Sequence, residues 1–292
     1  MEITTRRAVP EDLERMLEIE ESAIPGYGYL YENRHFYFDG TENTGEMILA
    51  VAHGEDGKEF PIGMGQYSVL PDGSGWLEIL RVQKEYQHMG AGKAIYRRYL
   101  ELAGQTSAPS AAMFTGWKNT ASRNLAEQNG FSLAGVYTGY DRAIAAEDAE
   151  QETGEFVCVQ EEEKAVHLMT EAAAEEEKNG GWGRFLALNR TFFHYGEPLY
   201  RYLAQNGMVY TDGNSVLVLG CRMLRHRGLH LGFCSGDYKK CLRFASAYTA
   251  KQGLPKLSVL FVPQREDLKT MVQEQKFVSS GELIVMERSF AE

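Results

Sequence analysis

The six residues from Gln87 to Gly92, Gln-His-Met-Gly-Ala-Gly, constrain this chain more than any other stretch. Before them, Trp76 to Val82 has the aromatic and β-branched content of a strand, with Glu78, Leu80 and Val82 expected on one face. After them, Lys93 to Ala103 repeats its apolar positions at helical spacing. The glycines therefore occupy a strand-to-helix turn. Gly90 and Gly92 lack a Cβ, so the backbone there can take positive φ and come close to a ligand. The first amides of a helix have no partner within it and carry the positive end of the helix dipole. A phosphate or pyrophosphate suits such a spot. Two common phosphate motifs are excluded by spacing. A dinucleotide fingerprint needs three glycines where only two stand, and a Walker loop needs glycine and Ser or Thr where Gln87 and Ala94 stand.

Further on, Ala112 to Trp117 reads as a strand. Asn119 to Phe131 reads as a short helix and its exit, with Asn119 as N-cap and Gly130 as terminator. Together, Val82-x4-Gln87-x2-Gly90-x-Gly92 and Asn119-x2-Ser122-x2-Leu125-x4-Gly130-Phe131 resemble the GNAT superfamily of acyl-CoA-dependent N-acetyltransferases. The resemblance implies that acetyl-CoA is the cosubstrate and that no metal is needed. It implies that backbone amides of Leu80, Arg81 and Val82 hold the pantetheine arm and polarise the thioester carbonyl. The turn residues Gln87, His88, Met89, Gly90, Ala91 and Gly92, with Lys93, would hold the pyrophosphate, and Asn119 with Ser122 or Arg123 would contact the cofactor's arm.

For the reaction, the resemblance implies Glu78, four positions before Val82, as a base or a positioner of water; a surface-facing strand carboxylate is the alternative. Ala126 stands where many members carry a tyrosine as general acid. Tyr137 and Tyr140 are the substitutes, and a buried structural role is open to each. Pro25 to Glu32 links the first two helices of the implied fold, a region that commonly covers the acceptor. Tyr27, Tyr29, Tyr31 and Glu32 are the expected wall for an amine, unless the rings pack on the protein's own surface.

The implied order over Met1 to about Arg142 is β-α-β-β-β-α-β-α-β, with the turn from Gly54 to Gly57 between two strands. The alanine- and acid-rich stretch from Ala145 to Gln151 suggests a boundary after residue 143. In the later half, Leu229 to Cys234 and Leu257 to Val262 read as strands, Tyr238 to Lys251 and Glu266 to Gln275 as helices, and Glu282 to Glu287 as a last strand. Phe261 and Phe277 lie 146 residues after Thr115 and Phe131, a weak internal repeat. The expected fold class is α/β (α+β), as two tandem GNAT-like domains, each a mixed, mostly antiparallel sheet flanked by helices. Residues 1–143 would carry the acetyl-CoA site. Residues 144–292 would be a degenerate copy without one, since Ser235-Gly236-Asp237 replaces the glycine turn and Lys276-Phe277 replaces Gly130-Phe131.

Composition narrows the partners. A net charge of −11 disfavours nucleic acid and suits a cationic amine. No apolar run reaches membrane-spanning length, Met1 to Thr5 lacks a signal-peptide pattern, and four cysteines without a CxxC pair argue against zinc or a disulfide framework. A cytoplasmic monomer or homodimer is expected. The expected function is acetyl-CoA-dependent N-acetylation of a primary amine on a small molecule or peptide, by direct transfer. The alternative is a non-catalytic acyl-CoA-binding regulatory module.

Overall fold

The computed structural model describes residues 2–39, 44–54, 58–151 and 155–290; residues 55–57 of the expected Gly54–Gly57 turn lie outside them. Strand β1 (Glu2–Arg7) runs through a 3-10 turn into helix α1 (Leu13–Ala23). Asp12 fixes that junction. Its carboxylate accepts two bonds from Arg6, each 2.7 Å, and one from Val9 N at 2.9 Å, and the Arg6 guanidinium holds the carboxyl below its usual pKa. Next come α2 (Arg34–Phe38), β2 (Gly45–His53), β3 (Glu59–Val69), β4 (Gly75–Val82), α3 (Ala91–Gln105), β5 (Ser110–Gly116) and α4 (Thr120–Gln128).

Strands β1 to β4 pair antiparallel in chain order, and β5 joins β4 in parallel. Helix α3 buries Ala91, Ile95, Tyr96, Tyr99, Leu102 and Ala103 at helical spacing. Gly65 on β3 sets how closely that face can approach. A Cβ at Gly65 would stand 2.0 Å from Tyr99 Oη and 2.8 Å from Ile95 Cγ2, so only glycine lets α3 settle on the strand.

The chain continues through β6 (Ser132–Ala143), β7 (Val157–Cys158), α5 (Glu162–Lys178), β8 (Phe185–Leu188), β9 (Thr191–His194), α6 (Glu197–Gln205) and β10 (Val209–Thr211). It closes with β11 (Val216–Gly220), β12 (Leu229–Ser235), α7 (Tyr238–Lys251), β13 (Lys256–Phe261), α8 (Glu266–Glu274) and β14 (Val278–Ser289). Here the strand order is β6-β13-β12-β11-β10-β7, parallel between β12 and β13 and antiparallel elsewhere, with β8-β9 as a separate pair. The fold class is α/β (α+β), with mostly antiparallel pairing. Strand β13, helix α8 and strand β14 begin 146 residues after β5, α4 and β6.

Packing divides the chain into two compact units, and their membership departs from a linear cut at 143/144. The first unit holds Met1–Phe114, Asn119–Ser132 and Met286–Glu292; the second holds Thr115–Lys118 and Leu133–Val285. Pairing explains the difference. In the second unit β6 is hydrogen-bonded to β13 from Ala143↔Lys256 to Thr138↔Phe261. In the first, the C-terminal end is tied down by Phe290 N donating to Pro109 O at 2.9 Å and Arg288 Nη1 donating to Asn129 O at 2.8 Å.

Candidate active site

Strand β4 carries the site because its alternation breaks in the middle. Gln66 pairs with Glu78 and Met64 with Arg81, so Ile79 and Leu80 together oppose Gly65. This is a β-bulge, and Ile79 takes φ +47°, a left-handed value rare for a β-branched residue. One extra residue reverses the faces beyond it. Glu78 shares the face of Gln66, whereas Val82 opposite Gly63 lies on the α3 side, where a Cβ on Gly63 would meet Val82 Cγ2 at 3.3 Å and Ile95 Cδ1 at 3.5 Å. The expectation that Glu78 and Val82 share a face is therefore corrected. Parallel pairing of β4 with β5 covers Gly75↔Ala111, Trp76↔Ala112 and Leu77↔Met113; among the described residues it goes no further. The strands part at the bulge, which leaves Leu80, Arg81 and Val82 without a paired residue on β5.

Glu78 is 6% exposed, so it is not the surface carboxylate that the residues alone allowed. Ser68 Oγ donates to its Oε1 at 2.6 Å, and Tyr99 Oη donates to its backbone carbonyl at 3.3 Å. Burial pushes the Tyr99 phenol well above its usual pKa, so it keeps its proton and stays a donor. A carboxylate taken out of water costs several kcal/mol unless donors meet it, which makes a buried, hydrogen-bonded one a candidate for chemistry.

Past β4, Gln87 Nε2 donates to Val82 O at 3.2 Å and ties the turn to the strand end. His88 and Gly90 take φ of +65° and +104°. Gly90 is the N-cap of α3 and no side chain caps that end, so the first amides of the helix are left for another acceptor. The two glycines differ in role. A Cβ on Gly90 would meet nothing within 4 Å, whereas one on Gly92 would stand 2.9 Å from Leu125 Cδ2. Gly90 thus faces open space and Gly92 faces the neighbouring helix. Gln87, His88, Met89 and Lys93 are exposed, and Ala91 is buried. At α4, Asn119 Oδ1 accepts from Ser122 N at 3.2 Å, the cap that its position predicted, and Arg123 pairs with Glu127 at 2.9 Å.

The other expected residues are placed as follows. Tyr27 and Tyr31 are 79% and 58% exposed, Tyr29 is half-buried and Glu32 exposed. Tyr31 already has the Arg34 guanidinium 4.3 Å from its ring centroid. Ala126 is fully buried. Tyr137 and Tyr140 belong to the second unit, apart from the unit that contains Glu78. Tyr137 is buried between two bonds to Phe185, accepting from its N at 2.8 Å and donating to its O at 3.2 Å, and burial raises its pKa. Tyr140 stacks on Phe261 at 5.4 Å. Both rings are held by packing contacts, the structural role that the sequence left open to each. Ser68, Gln66 and Tyr99 escaped the sequence reading. The available signal was the polar pair Gln66 and Ser68, two apart in an otherwise apolar strand; the register that sets them beside Glu78 carried none.

In the second unit the equivalent turn is much reduced. Residues 83–90 separate β4 from α3, but only Gly236 and Asp237 separate β12 from α7. A Cβ on Gly236 would stand 2.7 Å from Asn214 O, and the Asp237 carboxylate accepts from Lys240 N at 3.0 Å, capping α7 with its own negative charge. The cavity beside it, about 430 Å³, is lined by Ser235, Gly236, Tyr238 and the carboxylates of Glu175, Glu176 and Asp267.

A bulged central strand that parts from its parallel neighbour ahead of an uncapped helix positions the candidate site, and the fold as a whole is similar to solved structures named as acetyltransferases. A GCN5-related N-acetyltransferase from Sphaerobacter thermophilus superposes with TM-score 0.59 at 13% identity, covering 98% of this chain and 95% of that one. A protein from Pyrococcus horikoshii named as an acetyltransferase gives 0.60 at 15%, covering 98% and 89%. The glucosamine N-acetyltransferase region of a fungal multi-domain GH3 β-N-acetylglucosaminidase gives 0.66 at 10%, covering 98% of this chain and 38% of that one. These identities establish the fold alone. Residues 13–131 match the family model of the acetyltransferase (GNAT) family. No curated protein matches the chain.

Proposed function

We propose that the first unit is an acetyl-CoA-dependent N-acetyltransferase that moves an acetyl group directly to a primary amine of a small molecule or peptide. The observation that carries this reading is the conjunction on one strand of a buried, hydrogen-bonded Glu78, a bulge that parts β4 from β5, and the uncapped start of α3. Those features fit the cofactor, because Gly90 faces open space at an amide cluster that suits a pyrophosphate. Acetyl-CoA, when bound, supplies the acyl group as a thioester. Amides of the Gln87 to Lys93 turn would hold its pyrophosphate. Those of Leu80, Arg81 and Val82 would hold the pantetheine arm and polarise the carbonyl, with Asn119, Ser122 and Arg123 flanking the arm.

Glu78 would take the proton that the acceptor ammonium must lose before its nitrogen can attack, directly or through one water. Ser68 would hold that carboxylate in one orientation through Oε1. Tyr27, Tyr29, Tyr31 and Glu32 would cover the acceptor, the rings by cation–π contact and Glu32 by charge. The later half would be a copy of the fold without a cofactor site. The 146-residue spacing supports the kinship. The two-residue turn and the Asp237 cap oppose a diphosphate. Four free cysteines suit a reducing cytoplasm.

Thiol release from acetyl-CoA over a panel of amines tests the reading, with acetylated product and free CoA formed in equal amounts. Saturable acetyl-CoA binding with no thiol released by any amine would leave the non-catalytic acyl-CoA-binding module in its place.

A further inference from the structure

Glu20 lies near the C-terminal end of α1, only 3% exposed, and the scheme above gives it no work. Its Oε2 accepts the Leu30 amide at 3.0 Å. Its Oε1 is wholly buried and, among the described residues, has no hydrogen-bond partner. A carboxylate oxygen removed from water without a donor is costly, so its partner is to be sought in a ligand. The loop from Pro25 to Glu32 is what covers it. Gly28 packs so closely that a Cβ there would stand 2.7 Å from Oε2. Gly26 takes φ +74° within the loop, and Tyr27 is 79% exposed. The loop's Leu30 amide and Gly28 both close on this carboxyl, so a movement of the loop would change its access.

We propose that Glu20 binds a second cationic centre of the acceptor, so that the preferred acceptor is a diamine or larger polycation rather than a monoamine. The inference rests on the reading of this loop as the acceptor's cover. It follows from what each carboxylate can do. The reacting nitrogen must give up its proton, and a carboxylate pairing with it as ammonium opposes that loss; Glu78 on β4 is placed to accept it. A non-reacting nitrogen stays protonated, donates a charge-assisted bond and satisfies Oε1 permanently. Helix α1 packs along β3 and β4, the strands that carry Ser68 and Glu78. The net charge of −11 further favours the approach of a dication.

The test compares putrescine with n-butylamine on the full chain and on Glu20→Gln. The glutamine keeps an oxygen for the Leu30 amide and removes only the charge. The parent should prefer putrescine in kcat/KM. In Glu20→Gln that preference should fall by about 10-fold or more, the range of one charge-assisted hydrogen bond. The loss should sit in KM for the diamine, with KM for acetyl-CoA and Tm unchanged. Equal effects on both amines, no effect on either, or a fall in Tm that accounts for the losses would overturn the proposal while the acetyltransferase reading stands. Failure of the parent to acetylate either amine would overturn this proposal, while the acetyltransferase reading is decided by thiol release over the amine panel.

Discussion

At the scale of single residues, Glu78 and Ser68 form the pair on which turnover should depend. Glu78→Gln keeps the shape and removes the base; kcat should fall by roughly 100-fold while the Kd for acetyl-CoA, measured by calorimetry, stays within about twofold. An equal loss of cofactor affinity would make Glu78 structural. Ser68→Ala removes one bond that orients the carboxylate and should cost about 10-fold in kcat, and Ser68→Thr, which keeps the hydroxyl, should recover most of it. A threonine variant as slow as the alanine one would remove the positioning role. Glu78 was singled out in the sequence by its place four positions before Val82, whereas its burial and its bond to Ser68 were not legible. Ser68 was not singled out, because its nearness to Glu78 depends on strand register, which no local pattern records. Tyr137 and Tyr140 lie close along the chain to α4, yet β6 belongs to the second unit and Glu78 to the first, which the linear sequence does not record.

Among the elements, α3 shows most clearly how local sequence and packing divide the work. Its apolar spacing, its start behind Gly90 and its burial against β3 follow from residues 90–105 and from Gly65. The two glycines of the turn should nevertheless respond differently. Gly90→Val sets a β-branched residue at φ +104° and fills the open space at the helix start; acetyl-CoA affinity should drop by more than about 10-fold. Gly92→Ala meets only the flexible tip of Leu125, at a helical position where alanine is favoured by about 1 kcal/mol, and should leave affinity and Tm nearly unchanged. Binding isotherms and melting curves of the two variants check this, and a Gly90→Val protein that binds like the parent would reject the turn as the pyrophosphate site. The bulge in β4 had no such signature. Bulges with a left-handed residue usually advertise themselves with glycine, and here the residue is Ile79, in an apolar run that reads as an uninterrupted strand.

At the scale of the whole molecule, periodicity found the elements from Leu229 onward but neither α5 and α6 nor strands β7 to β11, and the repeat at 146 residues holds for three successive elements. What the linear sequence did not reveal is where the last strand of each half goes. Turn signals and composition mark a cut near residue 143, but packing places Leu133–Ala143 in the second unit and Met286–Glu292 in the first. The consequence can be measured. The fragment Met1–Ala143, the natural choice for an isolated acetyltransferase domain, lacks Arg288 and Phe290, whose bonds to Asn129 and Pro109 fix the exit of α4 and the start of β5. It also carries β6 without its partner β13, which exposes Tyr137, Tyr140 and an unpaired strand edge to water. Fully exposing one buried aromatic or aliphatic side chain costs about 1.5–3 kcal/mol, a large part of the 5–15 kcal/mol that typically separates folded from unfolded chains. The fragment should therefore aggregate, or melt at least about 10 °C below the full chain with a broad transition, and should not bind acetyl-CoA. Light scattering, thermal melts and calorimetry on the fragment and the full chain check each part. A monomeric fragment that melts as sharply as the full chain and binds acetyl-CoA as tightly would show that the terminal strands are dispensable to the first unit.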